Sequence, residues 1–163
     1  METAEAFIRD FIAKEHEALR AKYGDPNPVF IPKLQAVNAL FARDVATKSG
    51  ISRMSSANLD ELRPRQKSIV PRRVLAAHEY SNPTLGALFE YVLTGPEEAQ
   101  GGAADAKYYV RNTDGGMRIV SYYVACHDCG GTGKRAGKAC PHCASGWVYA
   151  DGVTLASPGT LVK

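Results

Sequence analysis

The residues best suited to chemistry are four cysteines in two C-x-x-C pairs, Cys126 with Cys129 and Cys140 with Cys143, inside the stretch CHDCGGTGKRAGKACPHCASGW at 126–147. A tight turn between two cysteines aims both sulfurs and the following backbone N–H groups at one point. Two such turns supply the four soft ligands of a closed tetrahedral zinc site. The ten-residue link between the pairs carries Gly130, Gly131, Gly133 and Gly137 and is short enough to fold back on itself. Four thiolates around a divalent ion leave a net charge of about −2 by ligand counting, which Lys134, Arg135 and Lys138 in the link are placed to offset. No ligand position is left open, so the reading is a structural zinc.

Three other chemistries use the same residues. Two disulfides would need an oxidising compartment, whereas the start, Met-Glu-Thr-Ala-Glu, is acidic and lacks a secretory n-region. A thioredoxin-type redox site needs one C-x-x-C opening a helix after a strand, and both pairs here lie in Gly-rich turns. His127 and His142 sit inside the turns, which makes a Cys–His nucleophile conceivable, although histidines at internal positions more often point outward. Reduced thiols without an export signal predict a cytoplasmic protein.

The run Cys126-His-Asp-Cys129-Gly-Gly131-Thr-Gly133 resembles the C-x-x-C-x-G-x-G repeat of the DnaJ-type cysteine-rich zinc domain, and CPHC at 140–143 is similar to a second repeat. The second half departs from the pattern, since Ala-Ser-Gly146-Trp147 lacks the glycine spacing of the first. No His-Pro-Asp motif of a J-domain is present. The resemblance therefore implies metal ligation by the four cysteines and not a chaperone role.

The rest of the chain must position that module. At 163 residues it suits one domain, 1–163, with its own core and the hairpin at 126–147 within it, so zinc would secure one part of the fold. A 45% hydrophobic content and a mean hydropathy of −0.24 describe a globular chain, and no apolar run approaches the roughly 18 residues of a membrane span. A net charge of +3 permits acidic partners without requiring them.

From the N-terminus, Thr3 can cap a helix whose apolar residues Ala4, Phe7, Ile8, Phe11, Ile12, Ala18 and Leu19 recur at three- and four-residue steps, ending at Gly24. A second helix is predicted from about Lys33 to Lys48, with Leu34, Val37, Leu40, Phe41 and Val45 on one face, Pro32 at its start and Gly50 at its end. Residues 47–73 are polar, and after Glu61 the cations Arg63, Arg65, Lys67, Arg72 and Arg73 follow without an acid. They read as a long basic loop, either a solvated connector or a contact surface for a partner.

Strands follow. The runs 73–80 and 84–93 flank the turn signal Ser81-Asn82-Pro83, and the runs 107–112 and 117–125 flank Thr113-Asp114-Gly115-Gly116, a hairpin signal. In the second run Leu85, Ala87, Phe89, Tyr91 and Leu93 share one face, leaving Leu88, Glu90 and Val92 on the other. Met117–Ala125 leads straight into Cys126 and the run after Cys143 leads straight out, so the metal would clasp a hairpin tip. No role is assigned to the tail after Gly152.

Two helices followed by long antiparallel strands ending in YYVRNTDGGMRIVS resemble the nuclear-transport-factor-2-like superfamily over about residues 3–125. That implies an α+β fold, with N-terminal helices packed on a curved, cone-like antiparallel sheet, and the zinc hairpin inserted near the C-terminus. Its members include ketosteroid isomerases and dehydratases as well as non-catalytic binding and bacterial toxin-immunity proteins, so the fold does not settle function. The favoured expectation is a zinc-stabilised, non-catalytic protein that grips a protein partner through Arg63, Arg65, Lys67, Arg72, Arg73, Lys134, Arg135 and Lys138. The alternatives are a small-molecule enzyme with His78, Tyr80, Glu90, Tyr91 and Tyr108 in a pocket, and a zinc-ribbon nucleic-acid binder.

Overall fold

The computed structural model describes residues 2–163. Thr3 is extended and its hydroxyl accepts the Ala6 N–H at 3.1 Å, so helix α1 (Ala4–Lys22) begins where a capping side chain satisfies an orphan donor. Phe7, Ile8, Phe11, Ala18 and Ala21 are buried; they are the stripe that faces the sheet.

The second helix lies earlier than its apolar pattern predicts. Helix α2 spans Asn27–Asn38, starting behind Pro26 and containing Pro32, because Asp-Pro-Asn-Pro supplies both the extended entry and a proline in the first turn. It stops at Asn38 because the chain is drawn onto the sheet. Ala42 donates its N–H to the Ile119 carbonyl at 2.9 Å, and Ile119 donates to Leu40 at 2.9 Å. Val37, Phe41 and Val45 are nonetheless buried, with Leu34 and Leu40 packed against them, so the apolar face was real and its helical continuation was not. The polar stretch at 47–73 is not one loop either. It holds helix α3 (Leu59–Gln66), which Asn58 caps by accepting the Asp60 N–H at 3.0 Å.

The strands are β1 (Val74–Asn82), β2 (Gly86–Thr94), β3 (Ala104–Thr113), β4 (Gly116–Ala125), β5 (Lys134–Arg135), β6 (Lys138–Ala139), β7 (Trp147–Gly152) and β8 (Thr160–Leu161). Six form one antiparallel sheet in the order β7-β4-β3-β2-β1-β8, and β5 pairs only with β6. Local chemistry makes the turns. Asn82 Oδ1 accepts the N–H groups of Thr84 and Leu85, each at 2.9 Å, and after Asp114-Gly115 only Gly116 takes a positive φ, 98°. The register slips at Val74/Ala76, Leu93/Thr94, Tyr109/Val110 and Tyr122/Tyr123, and such bulges bend strands.

The fold is α+β, as predicted. One face of the sheet packs Tyr91, Leu93, Tyr108, Val110 and Ile119 against α1 and α2. On the other, Leu88, Tyr109 and Val120 form a smaller cluster. The tail, which the sequence left without a role, runs over that second face. Val153 and Leu155 pack on the cluster, Val153 donates its N–H to Val120 at 2.8 Å, and β8 pairs with β1 at the far edge. Among the described residues no helix is long and apolar enough to cross a membrane.

Candidate metal centre

Strands β4 and β7 run to the pairs Val124 with Val148 and Ala125 with Trp147, which delivers Cys126 and Gly146 together at the hairpin tip. Cys126 donates its N–H to the Gly146 carbonyl at 2.8 Å. In the first turn Gly131 donates back to Cys126 O at 3.0 Å, and the Gly133 N–H points at Cys129 Sγ, 3.3 Å away. In the second, Ala144 and Trp147 exchange N–H···O bonds of 3.0 Å, and Cys140 donates to Gly133 O at 2.9 Å, joining the two halves. The link folds back through Ala136 and Gly137, both at positive φ, so that Lys134 pairs with Ala139 and Arg135 with Lys138.

Gly146 is where the two turns approach most closely. At φ 96° its Cα lies against the opposite turn, and an added Cβ would stand 2.1 Å from the Gly131 oxygen. The backbones of the two turns touch there, and only glycine permits it.

The four Sγ atoms lie within 4.8 Å of one another. Cys126 and Cys140 are 4.0 Å apart and Cys129 and Cys143 3.6 Å, well beyond the roughly 2.05 Å of a disulfide. Cys126 and Cys140 are buried and the other two half-buried. The donor set, four soft sulfurs converging on one point, fits a metal ion. Burial opposes ionisation of Cys129, but the Gly133 N–H and the neighbouring thiols outweigh it and bring the thiol down to about 6. Burial and the neighbouring thiols push Cys143 up to about 12. Such crowded protons are what a bound cation displaces. Neither C-x-x-C opens a helix, and His127 and His142 are exposed, His142 facing Asp128 at 4.0 Å.

The predicted partner-binding cations separate into two groups. Lys134, Arg135 and Lys138 are exposed on the β5–β6 ribbon beyond the sulfurs, and none forms an ion pair among the described residues. Most of the 63–73 group has partners inside the fold. Arg63 bonds Asp60 at 2.5 Å, and Arg65 bonds Glu97 and lies over the Tyr23 ring at 4.6 Å. Arg72 is enclosed between Glu15 at 2.7 Å and Asp105 at 2.8 Å, with the Thr94 carbonyl at 3.0 Å. Arg73 is exposed, its N–H bound to Thr94 Oγ1 at 2.7 Å, and Lys67 is exposed.

The predicted pocket residues fall on opposite faces of the sheet. Tyr91 and Tyr108 are buried beneath the helices. His78 and Tyr80 lie on the other face, where His78 Nδ1 is 3.2 Å from Glu90 Oε1 and Tyr109 donates its hydroxyl to Glu90 Oε2 at 2.6 Å. Tyr109 was not singled out from the sequence, although strand alternation sends two consecutive tyrosines to opposite faces. Lys107 lies over the rings of Tyr109, Tyr123 and Trp147 at 5.8, 5.2 and 4.9 Å. Comparison of the chain with family models, with curated proteins and with solved structures gives no match.

Proposed function

We propose that the chain is a zinc-clasped, non-catalytic binding protein, one unit of residues 1–163 whose hairpin at 126–147 presents a basic finger to an acidic face of a protein partner. Zinc is supported by distance. A tetrahedral ion with zinc–sulfur bonds of about 2.3 Å sets its sulfurs about 3.8 Å apart; Cys126–Cys140 and Cys129–Cys143, at 4.0 and 3.6 Å, lie on either side, and all four sulfurs lie within 4.8 Å of one another. Four thiolates favour a soft or borderline ion over magnesium or calcium and leave no position for substrate. Helices on one face of a bent antiparallel sheet support the nuclear-transport-factor-2-like reading, and an immunity-like or adaptor role is its most concrete form.

The observation that carries the partner-binding reading is the ribbon itself. Three exposed cations, Lys134, Arg135 and Lys138, stand on a two-stranded turn, and a metal at its base would leave that turn little freedom to lose on binding. Preorganised charge of this kind chiefly accelerates association. The test is to immobilise the native protein and a variant with all three cations changed to Glu, and to measure capture of its native-cell partner, with and without nuclease. Capture falling at least about tenfold in the variant, with thermal stability unchanged, is expected for rim charges. Equal capture by both proteins, or capture abolished by nuclease, would replace this reading with one of another surface or of nucleic acid.

A further inference from the structure

A cleft of about 630 Å³ opens between the chain after α2 and the β3–β4 turn, and three arginines, Arg43, Arg111 and Arg118, line it. Arg111 and Arg118 are direct register partners across the hairpin, so two guanidinium groups are set on the same face of one antiparallel pair, an arrangement that repels. Asp44 and Asp114 line the same cleft, yet none of the three arginines forms an ion pair with them or with any other carboxylate among the described residues. Arg111 Nε is buried with no hydrogen-bond partner, and Arg118 finds only the Met117 carbonyl, at 2.6 Å. Two half-buried guanidinium groups side by side repel unless something outside the chain comes between them.

We propose that this cleft binds a phosphorylated small molecule. A phosphate group has the charge to separate the Arg111–Arg118 pair and enough oxygens to accept from both forks. The cleft volume falls within the roughly 300–1,000 Å³ of small-molecule sites, which leaves room for an organic moiety beyond the phosphate. Phe41, Val120 and Val153 supply an apolar wall for that moiety, and Asp44 and Asp114 supply acceptors for its hydroxyl groups. This site is built by β3, β4, the segment after α2 and Val153 of the tail, and it contains neither a residue of the sulfur tetrad nor one of the basic ribbon.

The probes are inorganic phosphate and pyrophosphate, titrated into the intact protein at constant ionic strength and followed by amide chemical shifts. Saturable shifts confined to residues near 43–44 and 111–118, with dissociation constants on the order of millimolar or tighter, are expected. Arg111→Gln and Arg118→Gln should each weaken binding roughly tenfold, the scale of one lost charge-assisted contact. Arg9→Gln, on the exposed face of α1, should not. Should Arg111→Gln unfold, Arg43→Gln on the exposed rim reads the same site. Shifts that are absent, that scale with chloride as well as phosphate, or that survive Arg43→Gln and Arg118→Gln unchanged would overturn the proposal.

Discussion

Arg72 stands in the sequence as one of five cations in a polar run, and in the fold its guanidinium joins α1, through Glu15, to β3, through Asp105. Burial alone would lower its pKa, but the fields of Tyr108 and Glu15 and the bond to Asp105 outweigh that and raise it. The Glu15 side chain is only 4% exposed, so it depends on Arg72 for compensation. Arg72→Ala should therefore destabilise the protein by about 3–5 kcal/mol, as expected for one half of a buried pair removed, measured by urea denaturation. A loss below about 1 kcal/mol, the value of a surface pair, would mean that solvent reaches Glu15. A single sequence shows that a cation is present but not whether it is enclosed, because the partner lies 57 positions away along the chain.

On strand β3 the consecutive residues Tyr108 and Tyr109 serve the two faces of the sheet. Tyr108 packs against Phe11 at 5.0 Å and Tyr122 at 5.7 Å, while Tyr109 hydrogen-bonds Glu90. Burial raises the pKa of both hydroxyls, and the Glu90 carboxylate adds to the effect at Tyr109. A folded-state pKa above the unfolded value stabilises fully below the unfolded value, about 10 for tyrosine, and is lost as pH rises through the folded value. Thermal stability should accordingly be unaffected by these groups up to about pH 9 and decline above pH 10. The decline should be shallower in Tyr109→Phe, and an identical alkaline slope in the two proteins would contradict the assignment. The strands and their turns were legible because alternation, Asn82 and Asp114-Gly115 act locally. The end of α2 was not, because it is set by pairing of Leu40 and Ala42 with Ile119. The tail's path was also hidden, since Val153 and Leu155 look like any apolar residues until the second sheet face exists. The opposed Arg111 and Arg118 become visible only once the hairpin register is fixed.

In the whole molecule α1, α2 and the central strands share one core, and the sulfur tetrad sits outside it at the tip of an edge hairpin. The runs flanking the cysteines made the hairpin tip legible, because Met117–Ala125 leads directly into Cys126 and the run from Trp147 leads directly out of the second turn. A metal there would fasten β7 to β4 while the core of α1, β2 and β3 keeps its own contacts, so removing the ion should open one region and spare the other. The decisive measurement is native mass spectrometry of the reduced protein, coupled to amide exchange before and after chelation. The account predicts one zinc per chain, absent in Cys129→Ser, and a chelated protein that loses protection across 126–152 while α1 and β2–β3 keep theirs. A metal-free chain whose hairpin is already fully protected, or a chelated chain that unfolds uniformly, would contradict it.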